Sequence, residues 1–260
     1  MSNVIIERLR AGKIVRTMHL LGLSSPKFLE VAATYGNFHG VWIDQEHSDL
    51  PHADMEVILM ACRATGIDAF ARVPPTDYAT IMRPMEAGCS GVMIAQVRTL
   101  EEVERAVRWA KYPPQGVRGM FGRTYEAEYG KIDMAIHVAR ANRERWVAIQ
   151  IETAAAVEIV DQIAATAGVD HLFVGPADLS LTLGVPGQPL HAKCVAALER
   201  VSAATKKAGK SWGTLSPTPE HARKCLELGC QLFSIFGDIE SVREGLKAIE
   251  AKFPELMGEE

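Results

Sequence analysis

The chain has 260 residues, 48% hydrophobic and 23% charged, a composition able to bury a large core and unlike that of a disordered protein. Its net charge of −4, with the basic residues scattered, gives no electrostatic footprint for nucleic acid. No apolar run approaches the roughly 20 residues needed to span a bilayer, and the first ten residues lack the order of a signal peptide, so a cytoplasmic protein with no membrane role is expected.

In chain order, β-rich runs alternate with helical patterns, the mark of βαβ units and a parallel sheet. Strands are expected over 15–20, 40–43, 69–73, 91–94, 146–151, 171–174, 211–214 and 231–236. Helical patterns fall over 54–65, 78–87, 100–111, 155–165, 191–208, 219–228 and 239–252. In the third of these Val103, Ala106, Val107 and Ala110 recur at three- and four-residue spacing, and Thr99 with Glu101 and Glu102 supplies an N-cap and first-turn charge. Eight strands with helices between them predict an α/β fold, a single-domain (β/α)8 TIM barrel over residues 1–260; periodicity alone also fits an open, doubly wound sheet. The longest stretch between strands, 112–142, is rich in Gly, Pro, Tyr and Arg and is expected to cover one mouth of the barrel.

Cys62, Cys89, Cys194, Cys225 and Cys230 follow no disulfide spacing, which fits a reducing compartment. Cys225 and Cys230 have no second ligand pair nearby and read as small buried hydrophobes rather than as a metal site.

In a parallel α/β barrel the active site forms at the carboxyl ends of the strands. The second strand ends in Asp44-Gln-Glu-His47, the third in Arg72-Val-Pro-Pro75, the fifth in Gln150-Ile-Glu-Thr153 and the sixth in Gly175-Pro-Ala-Asp178. Glu152 and Asp178 follow neighbouring strands, where two oxygen ligands suit a hard cation such as Mg²⁺ or Mn²⁺; each alone also reads as the cap of the next helix. Arg72 has the chemistry to hold a substrate carboxylate or an oxyanion, or simply to bridge carboxylates. His47, beside Asp44 and Glu46, has the makings of a general base oriented by a carboxylate, and His19 is a candidate for lining the pocket. No glycine-rich phosphate loop is present, and no lysine ends a strand in an apolar setting suited to a Schiff base, Lys111 and Lys131 belonging to a helix end and a loop.

At these residues the sequence resembles the HpcH/HpaI family of class II, metal-dependent pyruvate aldolases, within the citrate lyase and phosphoenolpyruvate/pyruvate superfamily. The likeness runs through Ile43-Asp-Gln-Glu-His47, Ala71-Arg-Val-Pro-Pro75, Glu86-Ala-Gly88, Tyr112-Pro-Pro-Gln-Gly-Val-Arg-Gly119, Ile149-Gln-Ile-Glu-Thr153 and Gly168-Val-Asp-His-Leu-Phe-Val-Gly-Pro-Ala-Asp-Leu179. It implies a TIM-barrel lyase, similar to 4-hydroxy-2-oxoheptanedioate aldolase, that joins or releases pyruvate and an aldehyde. By resemblance, Glu152 and Asp178 hold the metal (Mg²⁺, Mn²⁺ or Co²⁺), Arg72 binds the pyruvyl oxygens, and His47 with Asp44 moves protons through water. Gln150 and the backbone of Gly175, Pro176 and Ala177 would complete the pyruvate site. A homo-oligomer is implied, a hexamer with helix 239–252 exchanged between neighbours. Related sites also serve acyl-CoA lyases of the citryl or malyl type, and a catalytically silent 2-oxo-acid-binding member is the reading from another class.

Three positions depart from the family pattern: Glu86 where Asp is usual, Ala95 where Pro is usual, and Thr17-Met-His-Leu20 in the first strand. Glu86, His19 and the 120–129 loop are therefore where selectivity for the aldehyde is expected.

Overall fold

Alternation along each strand leaves two sets of side chains to bury, and a sheet closed on itself with helices outside buries both. The computed structural model describes residues 3–257. Strands β1 (Val15–Leu20), β2 (Gly40–Asp44), β3 (Asp68–Val73), β4 (Gly91–Ile94), β5 (Trp146–Ile151), β6 (His171–Val174), β7 (Ser211–Leu215) and β8 (Leu232–Gly237) pair in parallel and in sequence order, and β8 closes on β1. The fold is thus the TIM barrel and not the open sheet, and each strand begins and ends within one residue of the position read from the sequence.

The helices α1 (Val4–Arg10), α2 (Pro26–Tyr35), α3 (His52–Thr65), α4 (Tyr78–Ala87), α5 (Leu100–Ala110) and α6 (Met134–Glu144) belong to the first half of the barrel. The second half carries α7 (Ala154–Glu158), α8 (Val160–Ala165), α9 (Pro176–Thr182), α10 (Ala192–Ala208), α11 (Pro219–Glu227), α12 (Asp238–Lys252) and α13 (Pro254–Met257). Helix α5 has the expected start: Thr99 Oγ1 accepts from the Glu102 N–H at 3.3 Å and the Glu102 carboxylate accepts from the Thr99 N–H at 3.2 Å. Helices α1, α2, α6, α9 and α13 are not among the expected elements.

Inside the barrel, Val15, Trp42, Phe70, Trp146, Phe173 and Leu232 form one buried cluster. Its aromatic rings make a continuous layer, with centroids 5.5 Å apart for Trp42 and Phe173, 6.5 Å for Trp42 and Phe70, and 5.0 Å for Phe70 and Trp146. Gly91 makes room for this layer, since a Cβ there would overlap the Trp146 ring. Helix α1 plugs the amino-terminal mouth: Ile5, Ile6 and Leu9 join the interior cluster, and the Ile5 N–H donates to Asp68 at 3.0 Å. The outward strand residues pack beneath the helices in a second cluster.

The segment between α5 and α6 corrects an expectation. It runs along the outside of α3 and α4 rather than over a mouth: the Gly119 N–H donates to the Tyr78 hydroxyl at 2.6 Å, and the Tyr125 ring lies under the Arg63 guanidinium at 3.9 Å. Its anchor is a buried pair, Arg118 with Glu126, and a buried charge needs its partner close at hand. Glu86 sits in the same cluster, 4.0 Å from Arg118. Glu86 and the 120–129 loop therefore lie on the helical flank of their own barrel, not at its carboxyl mouth.

All five cysteines are free and buried, and burial pushes the Cys62 and Cys225 thiols up to about 12, in keeping with a packing role. Among the described residues no helix is long and apolar enough to cross a membrane. Because Trp146 is fully buried in the aromatic layer and its indole N–H donates to Ser90 at 3.1 Å, Trp146→Ala is expected to cost about 3–5 kcal/mol. Urea unfolding followed by circular dichroism checks this, an unchanged midpoint being the contrary result.

Candidate active site

Side chains that face the interior continue upward at every second residue, so the aromatic layer becomes the floor of whatever lies at the carboxyl mouth. Above Trp42 on β2 comes Asp44, above Phe70 on β3 comes Arg72, and above Ala148 on β5 come Gln150 and Glu152. The Arg72 guanidinium stands over the Trp42 ring at 4.5 Å.

Asp44 is completely buried and binds Arg72 with both oxygens, Oδ1 accepting from Nε at 3.2 Å and Oδ2 from Nη2. Oδ1 also accepts from the backbone N–H groups of Glu46, at 2.8 Å, and His47, at 3.2 Å. The carboxylate is thereby committed to Arg72 and to the turn after β2. It touches the backbone of His47 and not its ring, so of the two acids beside His47 in sequence Asp44 fixes the turn. The His47 ring, 60% exposed, has its nearest carboxylate in Glu46 at 4.0 Å. Glu46 reaches Arg72 Nη1 at 3.1 Å, so it belongs to the site in its own right.

Glu152, 1% exposed, is held by a residue the sequence reading passed over. Gln96, just beyond β4, has a φ of 53°, the left-handed region uncommon outside glycine. That turn aims its backbone N–H at Glu152 Oε1, 2.7 Å away, while its side-chain amide reaches Asp178 Oδ2 at 3.3 Å. One residue thus brings together the two carboxylates read as metal ligands. Gln150 donates to Glu152 Oε2, and a Cβ on Gly175 would come within 2.5 Å of that oxygen and 2.7 Å of Gln150 Nε2. Gly175 precedes α9, Pro176 and Ala177 open its first turn, and Asp178 follows half-buried.

Burial pushes the Glu152 carboxyl up to about 7, against the Gln96 N–H that favours its charged form; Glu46 and Asp178 add repulsion, and Arg72 opposes them. Among the described residues no three His, Cys, Asp or Glu side chains gather into one cluster able to hold a cation. The donor set is therefore two carboxylates, with the buried carbonyl oxygen of Gln150, which has no hydrogen-bond partner, beside them. Hard oxygen donors and a carboxylate short of compensating positive charge fit a divalent cation of the Mg²⁺ or Mn²⁺ kind.

Across the barrel, β1 and β8 carry a second polar group. The buried His19 ring lies between Ser234 Oγ, 3.3 Å from Nδ1, and Glu240 Oε2, 3.1 Å from Nε2. Lys111, by contrast, binds the carbonyls of Asn142 and Arg145, ahead of β5 and so at the amino-terminal end of the barrel.

Fold and site together define a parallel barrel with an acidic, oxygen-rich pole and a guanidinium at its carboxyl mouth. The model of the HpcH/HpaI aldolase/citrate lyase family matches residues 16–244, and the chain belongs to that family. It is 33% identical over 246 residues to a pyruvate aldolase of Rhizobium etli, covering 95% of each chain. It is 34% identical to a hydroxypyruvate/pyruvate aldolase of Sagittula stellata, covering 88% of this chain and 90% of that one. The crystal structure of an HpcH/HpaI aldolase from Desulfitobacterium hafniense superposes with a TM-score of 0.87 at 30% identity, covering 94% and 95% of the two chains.

The raised Glu152 carboxyl has a consequence for stability. A group that holds its proton more tightly when folded contributes most below its unfolded value of 4.5, and the contribution is lost as pH rises through about 7. Above pH 7 the ionised carboxylate costs the cation-free protein roughly 3 kcal/mol, at about 1.4 kcal/mol per pH unit. Glu152→Gln is therefore expected to raise the melting temperature of the cation-free protein at pH 8 and to leave it nearly unchanged at pH 4.5; equal effects at both would contradict the assignment.

Proposed function

We propose that the protein is a class II aldolase that cleaves 4-hydroxy-2-oxo acids to pyruvate and an aldehyde, and runs the reverse condensation. The observation that carries this reading is the meeting of Glu152 and Asp178 on Gln96, beside the buried Arg72. Glu152 and Asp178 hold a divalent cation, Mg²⁺ or Mn²⁺ with Co²⁺ as a further candidate, with Gln150 as support. When bound, that cation supplies Lewis acidity to the oxygens of the 2-oxo acid.

The chain's own residues do the rest. Arg72, fixed by Asp44 and Glu46, presents its guanidinium to the carboxylate and keto oxygen and favours the charge that grows on the latter. The backbone of Gly175, Pro176 and Ala177 completes the wall for the oxo acid, Gly175 leaving out the Cβ that would crowd Glu152. In cleavage His47, through an intervening water, takes the proton of the 4-hydroxyl; the C3–C4 bond breaks, its electron pair passes into the enolate of pyruvate, and the aldehyde leaves. Protonation of C3 then gives pyruvate. In the reverse direction the same relay removes a proton from the pyruvate methyl, and exposure of the His47 ring suits exchange with solvent.

The reading includes a homo-oligomer, a hexamer in which α12 is exchanged between neighbours. Its support is a matched pair of apolar surfaces: a groove of about 490 Å³ lined by Ile14, Ala222, Leu226, Phe233 and Ile235, and the exposed stripe of Val242, Leu246 and Ile249 along α12. Leu246→Asp combined with Ile249→Asp is expected to yield a smaller species in sedimentation velocity. An unchanged sedimentation coefficient would sink the exchange.

The activity is tested by pyruvate release from a panel of 4-hydroxy-2-oxo acids after chelation and after return of Mg²⁺ or Mn²⁺. Cleavage is expected only with the cation, to fall at least about a hundredfold in Glu152→Ala, and to fall by about 10²–10³ in kcat in Arg72→Lys. Cleavage that survives chelation, or that no substrate elicits, overturns the reading.

A further inference from the structure

We propose that His19, Ser234 and Glu240 form the recognition element for the aldehyde half of the substrate, and that it selects neutral, hydroxylated aldehydes over anionic ones. This rests on the aldolase reading above and names the substrate class of that same site. In a closed barrel of eight strands β1 stands opposite β5, so His19 faces Glu152 across the mouth. Val15 belongs to the interior cluster, and the period of two carries Thr17 and His19 to the same inner face. With the pyruvate end held at Arg72 and Glu152, the other end of a 4-hydroxy-2-oxo acid extends toward β1 and β8. The His19 ring lies 5.6 Å from Trp42, the residue on which Arg72 stands, so only one ring separates the two poles.

Donor and acceptor counting fixes what this second pole presents. Burial lowers the pKa of His19 even beside Glu240, and a neutral imidazole has one donor and one acceptor. Nε2–H donates to Glu240 Oε2 at 3.1 Å and Nδ1 accepts from the Ser234 hydroxyl at 3.3 Å, so both are used. What is left for a ligand is Glu240 Oε1, an acceptor on a side chain one-third exposed, with no hydrogen-bond partner among the described residues. Such a group takes the O–H of a substrate hydroxyl and repels a carboxylate.

Gly237 gives an independent sign that the pair is built. Its φ of −126° suits any residue, yet a Cβ there would overlap the His19 ring and come within 2.8 Å of Glu240 Oε2. Glycine is needed at that point for space alone. Dicarboxylic substrates such as 4-hydroxy-2-oxoheptanedioate, whose aldehyde half is anionic, are accordingly disfavoured.

The test compares kcat/KM for condensation of pyruvate with glycolaldehyde and with succinic semialdehyde, in the wild type, Glu240→Gln and His19→Asn, each with Mg²⁺. The wild type is expected to favour glycolaldehyde by at least about tenfold, and Glu240→Gln to narrow that ratio about tenfold by gaining succinic semialdehyde and losing glycolaldehyde. A wild type that prefers succinic semialdehyde, or a ratio that moves less than about twofold in both variants, overturns the proposal. Deuterium exchange into the pyruvate methyl, measured on the wild type without aldehyde, separates the two levels. Exchange with unselective aldehydes rejects the recognition element alone, whereas no exchange with any cation rejects the aldolase reading and this proposal with it.

Discussion

Arg72 is a permanent cation with only 7% of its side chain exposed, and the mouth of the barrel is arranged around making that tolerable. Asp44 grips the guanidinium at two points, Glu46 approaches a third nitrogen, and Trp42 supplies a π face beneath. Removing one partner of such a buried pair typically costs about 3–5 kcal/mol, because the remaining charge is left uncompensated. The turn after β2 is fixed by the same carboxylate, since Asp44 also receives the Glu46 and His47 N–H groups. His47 is thus positioned by its backbone while its ring stays in solvent. The aromatic layer below is drawn in too, because Trp42 is shared between the core and the site.

That arrangement makes the mouth electrostatically lopsided. Arg72 offsets Asp44 and Glu46, but Glu152 and Asp178 add two more carboxylates, neither with an ion-pair partner of its own among the described residues. Gln96 compensates in part with dipoles, its backbone N–H going to one carboxylate and its amide to the other. Two dipoles do not equal a charge, and burial, with the neighbouring Glu46 and Asp178 adding to it, still pushes the Glu152 carboxyl up to about 7. A divalent cation would invert this balance, which is the electrostatic support for the metal-site reading proposed for these two carboxylates.

The strands were legible because buried parallel strands are short apolar runs, and the residues at their carboxyl ends were legible because barrel geometry gives those positions meaning. Helices α1 and α9, of seven residues each, are too short for a periodic signal; α9 opens with Pro176 and was read only as a strand-end motif. Helix α2 carries a signal in sequence, Ser25 as a cap for the Phe28 N–H followed by Pro26 at the first helical position. Gln96 was overlooked for a different reason. Its decisive contact is made by a backbone N–H in a left-handed turn, and side-chain identity does not announce that. Asp44 and His47 are close in sequence, yet closeness along a turn does not reveal whether a carboxylate meets a ring or a peptide N–H.

Two glycines extend this point. Gly175 has φ −91° and Gly237 φ −126°, backbone angles open to any residue, so neither is explained by conformational freedom. Each lies against a carboxylate that a Cβ would crowd, Glu152 at the end of β5 and Glu240 just after β8. A reader of sequence takes such glycines for turns; their work here is to leave out a methyl where an acidic side chain must approach the backbone. The same subtraction operates at both places: Glu152 would have to move if Gly175 gained a side chain, and Glu240 would have to move if Gly237 did.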